Sequence, residues 1–200
     1  MSLCEIYDDV LDVEYLYELY SIVEEKLTYT AINIANRKTW PHGKKGSHKL
    51  FGSKIFFRSN INRVQHFNNE YASKFFNLFE YICSIKSVNP ESYYLERIDV
   101  NLQHSGCDGT LHIDCSPVDV TAKTYMLMVN PVWEKEWGGK FQLYSEDKSE
   151  ILEEYDYVPG RIVIFPSNLP HKGLGAKVEY PYVYRYSIVF GVKDLFIYNQ

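Results

Sequence analysis

Two periodicities divide this chain. Across residues 9–27 the apolar positions Val13, Leu16, Tyr20, Val23 and Leu27 recur every three or four residues. That is the spacing of one face of an amphipathic helix, with Asp8 or Asp9 as its cap. Val64, Phe67, Tyr71, Phe75, Phe79 and Ile82 form a second stripe and predict a helix over about 61–85, which would carry His66 as a packing or surface residue. The turn signal Asn89-Pro90-Glu91 ends this regime. Beyond it the pattern alternates, with Ile98, Val100 and Leu102 on one strand face and Arg97, Asp99, Asn101 and Gln103 on the other. Residues 121–130, 139–144, 161–165 and 182–192 are rich in β-branched and aromatic residues and read as further strands, with turns at Asn130-Pro131, Trp137-Gly138-Gly139, Pro159-Gly160 and 166–170 between them. Two helices followed by short strands imply an α+β chain whose β part is a sandwich or jelly roll.

Size and composition narrow this picture. The 200 residues suit a single domain, with 1–90 mainly helical and 91–193 forming the β core. The 46% apolar and 24% charged content belongs to an ordinary globular chain. A net charge of −5 disfavours nucleic acid as a partner, because broad phosphate binding needs a basic face. Lys44, Lys45, Lys49 and Lys54 lie in a glycine- and histidine-containing stretch read as a loop, either a solvated connector or a flap over a substrate entrance. His42 and His48 share that stretch, but no cysteine or carboxylate shares their spacing, so a metal role for them is poorly supported. Cys4, Cys83, Cys107 and Cys115 form no C-x-x-C pair, which fits reduced thiols in a cytoplasm. No apolar run approaches a membrane span and the N-terminus lacks a signal-peptide pattern, so a soluble, cytoplasmic protein is expected.

The chemistry concentrates in T-L-H-I-D-C-S-P, residues 110–117. In a strand, side chains two apart share a face, so His112 and Asp114 would converge, while Cys115 would point away and pack. Two such ligands and one later histidine make a facial metal triad with open positions, for which Fe(II) is the usual occupant. His171, 57 residues after Asp114, follows a strand and a proline-containing turn and is placed to complete a site at the rim of the β core. His104 lacks an aspartate two residues on and reads as a surface or supporting residue. Arg185 and Ser187 share a face of an otherwise apolar strand. A buried arginine there needs a partner, its planar fork suits a carboxylate, and Ser187 adds a hydroxyl donor.

Taken in order, H-I-D, W-G-G-K-F-Q-L, P-G-R-I-V-I-F-P-S-x-x-x-H and R-Y-S-I resemble the Fe(II)- and 2-oxoglutarate-dependent dioxygenases, closest to their prolyl 4-hydroxylase-like branch. The resemblance covers about residues 93–193, half the chain. It implies a double-stranded β-helix (jelly roll) with N-terminal helices packed against it. It also implies His112, Asp114 and His171 as iron ligands, 2-oxoglutarate and O₂ as cosubstrates, ascorbate as an accessory reductant, and Arg185 with Ser187 on the distal carboxylate. Asn101 is carried as a further pocket residue. The products would be succinate, CO₂ and a hydroxylated amino-acid or peptidyl substrate, and the intact Asp114 favours hydroxylation over halogenation. The tyrosine that related hydroxylases use on the cosubstrate maps to Met128; Tyr125 has the wrong parity, which leaves Thr124 or Tyr144 for that contact. Many prolyl hydroxylases carry lysine where this chain has Arg185, so proline itself is not implied. For the small-molecule or peptide substrate, Arg97 and Trp137 are the candidate contacts, with Trp133 and Tyr157 as further candidates for an aromatic entrance. Arg97 has a bland alternative in an ion pair with Asp99 or Glu96. The rival class is a cupin-like isomerase or sensor, which would have no use for the Arg185/Ser187 pair.

Overall fold

The computed structural model describes residues 2–32, 50–58, 65–67 and 70–195. In chain order they form β1 (Glu5–Tyr7), α1 (Val13–Ser21) with a π-helical turn over Ile22–Lys26, β2 (Thr30–Ile32), β3 (Leu50–Arg58), β4 (Gln65–Phe67) and α2 (Ala72–Ile85). There follow β5 (Tyr93–Gln103), β6 (Ala122–Met128), β7 (Phe141–Tyr144), β8 (Ile151–Tyr155), β9 (Ile162–Pro166), β10 (His171–Gly173) and β11 (Arg185–Asp194). The larger sheet runs β1-β9-β6-β11-β5-β3-β2, with β4 paired to β3, and the smaller runs β10-β7-β8. Pairing is antiparallel throughout both.

Alternation along the central strands gives the large sheet two buried faces. Ile98 and Val100 of β5, Tyr125 and Leu127 of β6, and Ile188 and Phe190 of β11 pack against Leu16, Leu19 and Val23 of the first helical segment and Phe75, Phe79 and Ile82 of α2. The opposite face sets Met126, Met128, Val163, Phe165 and Val189 against Phe141 and Leu143 of the small sheet, with Trp133 and Tyr157. Two facing antiparallel sheets with helices outside make the double-stranded β-helix predicted from the motifs. The polar positions of β5 and β11 point into the space between the sheets.

Several boundaries differ from the pattern reading. The cap of α1 is Asp12, whose carboxylate accepts the Glu14 N–H at 2.9 Å, not Asp8 or Asp9. Val13 stands 57% exposed, and the buried stripe passes through Leu19 instead. The second helical stripe spans two elements, since α2 begins only at Ala72 and residues 65–67 pair with β3. Three residues are too few to register a period of two, so β4, and with it the backbone of His66, read as helix. Residues 50–58 are a strand and not the end of a lysine-rich loop. The glycine and lysines masked an alternation that a bulge between Lys54 and Phe56 also interrupts. The described part of the first ninety residues therefore supplies four strands as well as two helices. His42, His48, Lys44, Lys45 and Lys49 lie outside the described residues.

Candidate metal and cosubstrate site

His112 and Asp114 were expected on one strand, but the local structure is a single bridge followed by a turn. His112 N–H donates to the His171 carbonyl at 3.1 Å and His171 N–H returns a bond at 2.8 Å. That reciprocal pair sets the imidazoles side by side, with centroids 4.5 Å apart. Asp114 is fixed by its own N–H on the Ser167 carbonyl at 2.9 Å. Proline and glycine turns around residues 110–117 and 166–171 thus meet edge to edge, and backbone bonds between them do what one strand's parity was expected to do.

Each imidazole is oriented from behind. His112 Nδ1 lies 2.7 Å from the Thr110 carbonyl and His171 Nδ1 lies 2.9 Å from the Leu169 carbonyl. Carbonyls only accept, so Nδ1 carries the proton in both rings and each Nε2 keeps a free lone pair. The two Nε2 atoms face the Asp114 carboxylate at 3.5 Å each. The ligand atoms of all three residues lie within 4.8 Å of one another, and among the described residues no other histidine, cysteine or acid group is clustered in this way. Two imidazole nitrogens and one carboxylate on one side of a cavity are the donor set of a facial triad, and the arrangement fits Fe(II). Burial alone would raise the Asp114 pKa, but the Arg97 charge beside it outweighs burial and holds the carboxyl well below the usual range.

The cavity beside the triad measures about 420 Å³. Arg185 and Ser187 from β11, Gln103 and Asn101 from β5, and Thr124 and Met126 from β6 line it. Arg185 is 1% exposed. Its Nε donates to the Gly139 carbonyl at 3.0 Å and its Nη1 to Gln103 Oε1 at 2.8 Å. Its guanidinium lies 5.1 Å from the Tyr157 ring centroid. No carboxylate among the described residues pairs with it, and the buried Nη2 has no hydrogen-bond partner. Burial pushes the Arg185 pKa down, yet a guanidinium does not deprotonate in a protein, so the site holds a buried cation that calls for an anion. Gly173 keeps room for one: a Cβ there would stand 3.1 Å from Gln103 Oε1 and 3.2 Å from Arg185 Nη1. An orphaned donor and the space beside it fit the distal carboxylate of 2-oxoglutarate.

Of the sequence candidates, His112, Asp114, His171, Arg185, Ser187, Asn101 and Arg97 all meet at this cavity. Arg97 is already paired, with Nη1 2.6 Å from Asp99 Oδ2 and Nη2 2.9 Å from Asp114 Oδ2. Trp137 does not line the cavity. The turn at Gly138-Gly139 folds it edge-on against Trp133 at 5.5 Å, and Trp133 and Tyr157 are themselves buried in the second core. His104 sits at the surface, its Nδ1 2.9 Å from the Ser105 carbonyl. Cys115 Sγ donates to the Ser116 carbonyl at 3.3 Å and takes no part in the cluster. Met128 and Tyr125 pack into opposite cores, and Tyr144 bonds Gln142 at 2.9 Å. At the cavity wall Thr124 and Met126 represent β6. Two contributors were missed in the sequence: Gln103, legible from its parity with Asn101, and the Gly139 carbonyl, whose use of the W-G-G turn had no sequence signal beyond the turn itself.

Residues 99–190 match the family described as the 2OG-Fe(II) oxygenase superfamily. No curated protein sequence matches the chain. Solved structures share the fold. An oxidoreductase of the 2OG-Fe(II) oxygenase family from Burkholderia pseudomallei superposes with a TM-score of 0.71 at 11% identity, covering 96% of this chain and 85% of its own. A Pseudomonas putida prolyl-4-hydroxylase gives 0.60 at 14% identity, over 96% and 92%. The alpha-ketoglutarate-dependent epimerase SnoN from nogalamycin biosynthesis gives 0.64 at 10% identity, over 96% and 79%. The matched segment carries the whole H-I-D to R-Y-S-I series: residues 99–190 belong to the 2OG-Fe(II) oxygenase superfamily by that match, and the chain shares the fold of a prolyl-4-hydroxylase.

Proposed function

We propose that this oxygenase is a hydroxylase of an amino-acid or peptidyl substrate. His112 Nε2, Asp114 and His171 Nε2 would hold the metal, and Arg185 Nη2 with Ser187 would hold the distal carboxylate of 2-oxoglutarate. Bound Fe(II) with 2-oxoglutarate and O₂ supplies the oxidising power, with succinate and CO₂ as products. Asn101 faces Ser187 across the β5–β11 pairing and extends the polar wall toward Lys54 and Asp99. Phe141, Phe165, Met126 and Val189 supply the apolar part of the lining, which limits water around the reacting C–H. A cavity of about 420 Å³ lies in the size range of small-molecule sites and suits a cosubstrate plus one side chain or small molecule. The observation that carries the cosubstrate role is the unpartnered Nη2 of a fully buried arginine in the same cavity as the triad. Asp114 fills the third ligand position with a carboxylate, which favours hydroxylation over halogenation.

The test is Fe(II)-dependent conversion of 2-oxoglutarate to succinate in the presence of amino acids and short peptides, with the products weighed by mass spectrometry. The proposal expects a product heavier than its substrate by one oxygen atom. A product of unchanged mass, or one lighter by two hydrogens, would replace hydroxylation by epimerisation or desaturation while keeping the family assignment.

A further inference from the structure

Arg97 was a candidate substrate contact, but its surroundings give it other work. Its guanidinium joins Asp99 to Asp114, and the Asp114 Oδ2 that it contacts at 2.9 Å also accepts the Thr124 hydroxyl at 2.7 Å. Thr124 is in turn 2.8 Å from Ser167 Oγ, which therefore donates to it. The same Ser167 supplies the carbonyl that anchors the Asp114 backbone. Two fixed donors thus converge on one oxygen of the carboxylate, from β5 and from β6. The sheet is also shaped around the arginine. Gly191 of β11 is the register partner of Arg97, and a Cβ there would stand 2.9 Å from Arg97 Cγ and 3.0 Å from Nε. A single glycine in the run R-Y-S-I-V-F-G-V therefore sits where the arginine stem crosses.

Releasing this guanidinium to a substrate would strand the Asp99 carboxylate, 16% exposed, and leave that of Asp114, 13% exposed, with the metal as its sole counter-charge. Stranding buried charge is strongly unfavourable. We propose that Arg97 is a positioning residue for the metal site: with Thr124 it holds the Asp114 carboxylate in the orientation that faces both imidazoles. This rests on the metal-site reading above and adds a residue to it. Substrate charge must then be met elsewhere on the cavity wall.

The experiment measures Co(II) affinity of the full chain by calorimetry, alongside the melting temperature of the metal-free protein. Arg97→Gln is expected to bind Co(II) about 10- to 100-fold more weakly, the usual effect of losing an outer-sphere partner, with Arg97→Lys in between. Gly191→Ala keeps the charge but displaces the stem, so it should weaken Co(II) in the same direction, and it decides the matter if Arg97→Gln does not fold. Co(II) affinity within about twofold of the unaltered protein in the folded variants would overturn the role of Arg97 and leave the metal site standing. Failure of the unaltered protein to bind Co(II) would overturn the metal site itself, and Arg97's role with it.

Discussion

At the scale of single residues, the most telling group is the Arg185 guanidinium. It has two neutral acceptors, an aromatic face, and one buried N–H with nothing to donate to. Replacing it with glutamine removes the charge and keeps the bond to Gly139 within reach. We expect Arg185→Gln to weaken 2-oxoglutarate binding by about 2–5 kcal/mol, at least roughly 30-fold in Kd, while Co(II) affinity stays unchanged. Calorimetric titration of Co(II) into the metal-free protein, then of 2-oxoglutarate into the Co(II)-loaded protein, reads the two in turn. Arg185 and Ser187 were legible because a cation on an otherwise apolar strand has few explanations. Of the partners that orient Arg185, Gln103 was legible by parity as one of four polar β5 residues but not singled out among them, and a backbone carbonyl in a W-G-G turn looks like any other. The same limit applied to Arg97: its pair with Asp99 followed from i, i+2 parity, but its pair with Asp114 joins two segments whose adjacency only the fold creates.

At the scale of elements, the N-terminal strand is fastened by charge. Glu5 of β1 pairs with Lys86, at the C-cap of α2, and with Lys123 of β6 at 3.2 Å. The Lys86 side chain is 8% exposed while that of Glu5 is 40% exposed. Burial raises the Glu5 pKa, but the two lysines outweigh it and leave it lowered; burial lowers the Lys86 pKa, but Glu5 outweighs it and leaves it raised. A lowered acid stabilises the fold above its unfolded pKa of about 4.3 and loses that contribution as pH falls through its folded value. A raised lysine keeps its contribution until pH climbs past about 10.4. Glu5→Gln should therefore cost about 1–3 kcal/mol at neutral pH, discounted for the exposure of Glu5, and the gap should close on acidification below about pH 4. Melting temperature against pH for the two proteins checks this; a gap that persists at low pH would contradict it. None of this cluster was legible in the sequence. β1 is three residues long and gives no periodic signal, whereas β5, β6, β9 and β11 declared themselves through long alternating or apolar runs. The helices were found but their ends were displaced, because Asp8, Asp9 and Asp12 are equally good caps until backbone geometry selects one.

At the scale of the whole molecule, the cavity between the two sheets is lined by polar side chains of β5 and β11 together with Phe141 and Phe165, which pack against His171. Helices on the outer face of the large sheet bury one face of β5 and leave β11 buried on both, which fixes their register, and that register puts Arg185 opposite Gln103, Ser187 opposite Asn101 and Gly191 opposite Arg97. The resemblance could be read from four motifs in order because each contributes at least one residue to the cavity or to its orienting bonds. Which substrate the cavity takes was not legible, since selectivity depends on the rim of the cavity and no motif encodes that. The central claim is that a single cavity holds a metal through His112, Asp114 and His171 and a cosubstrate beside it. Anaerobic titration of 2-oxoglutarate into the Fe(II)-loaded protein, followed by visible charge-transfer absorption, tests it most directly. A saturable band at one cosubstrate per chain, abolished in His171→Ala, is the expected result. Fe(II) bound at the site with no band and no heat of 2-oxoglutarate binding would contradict it.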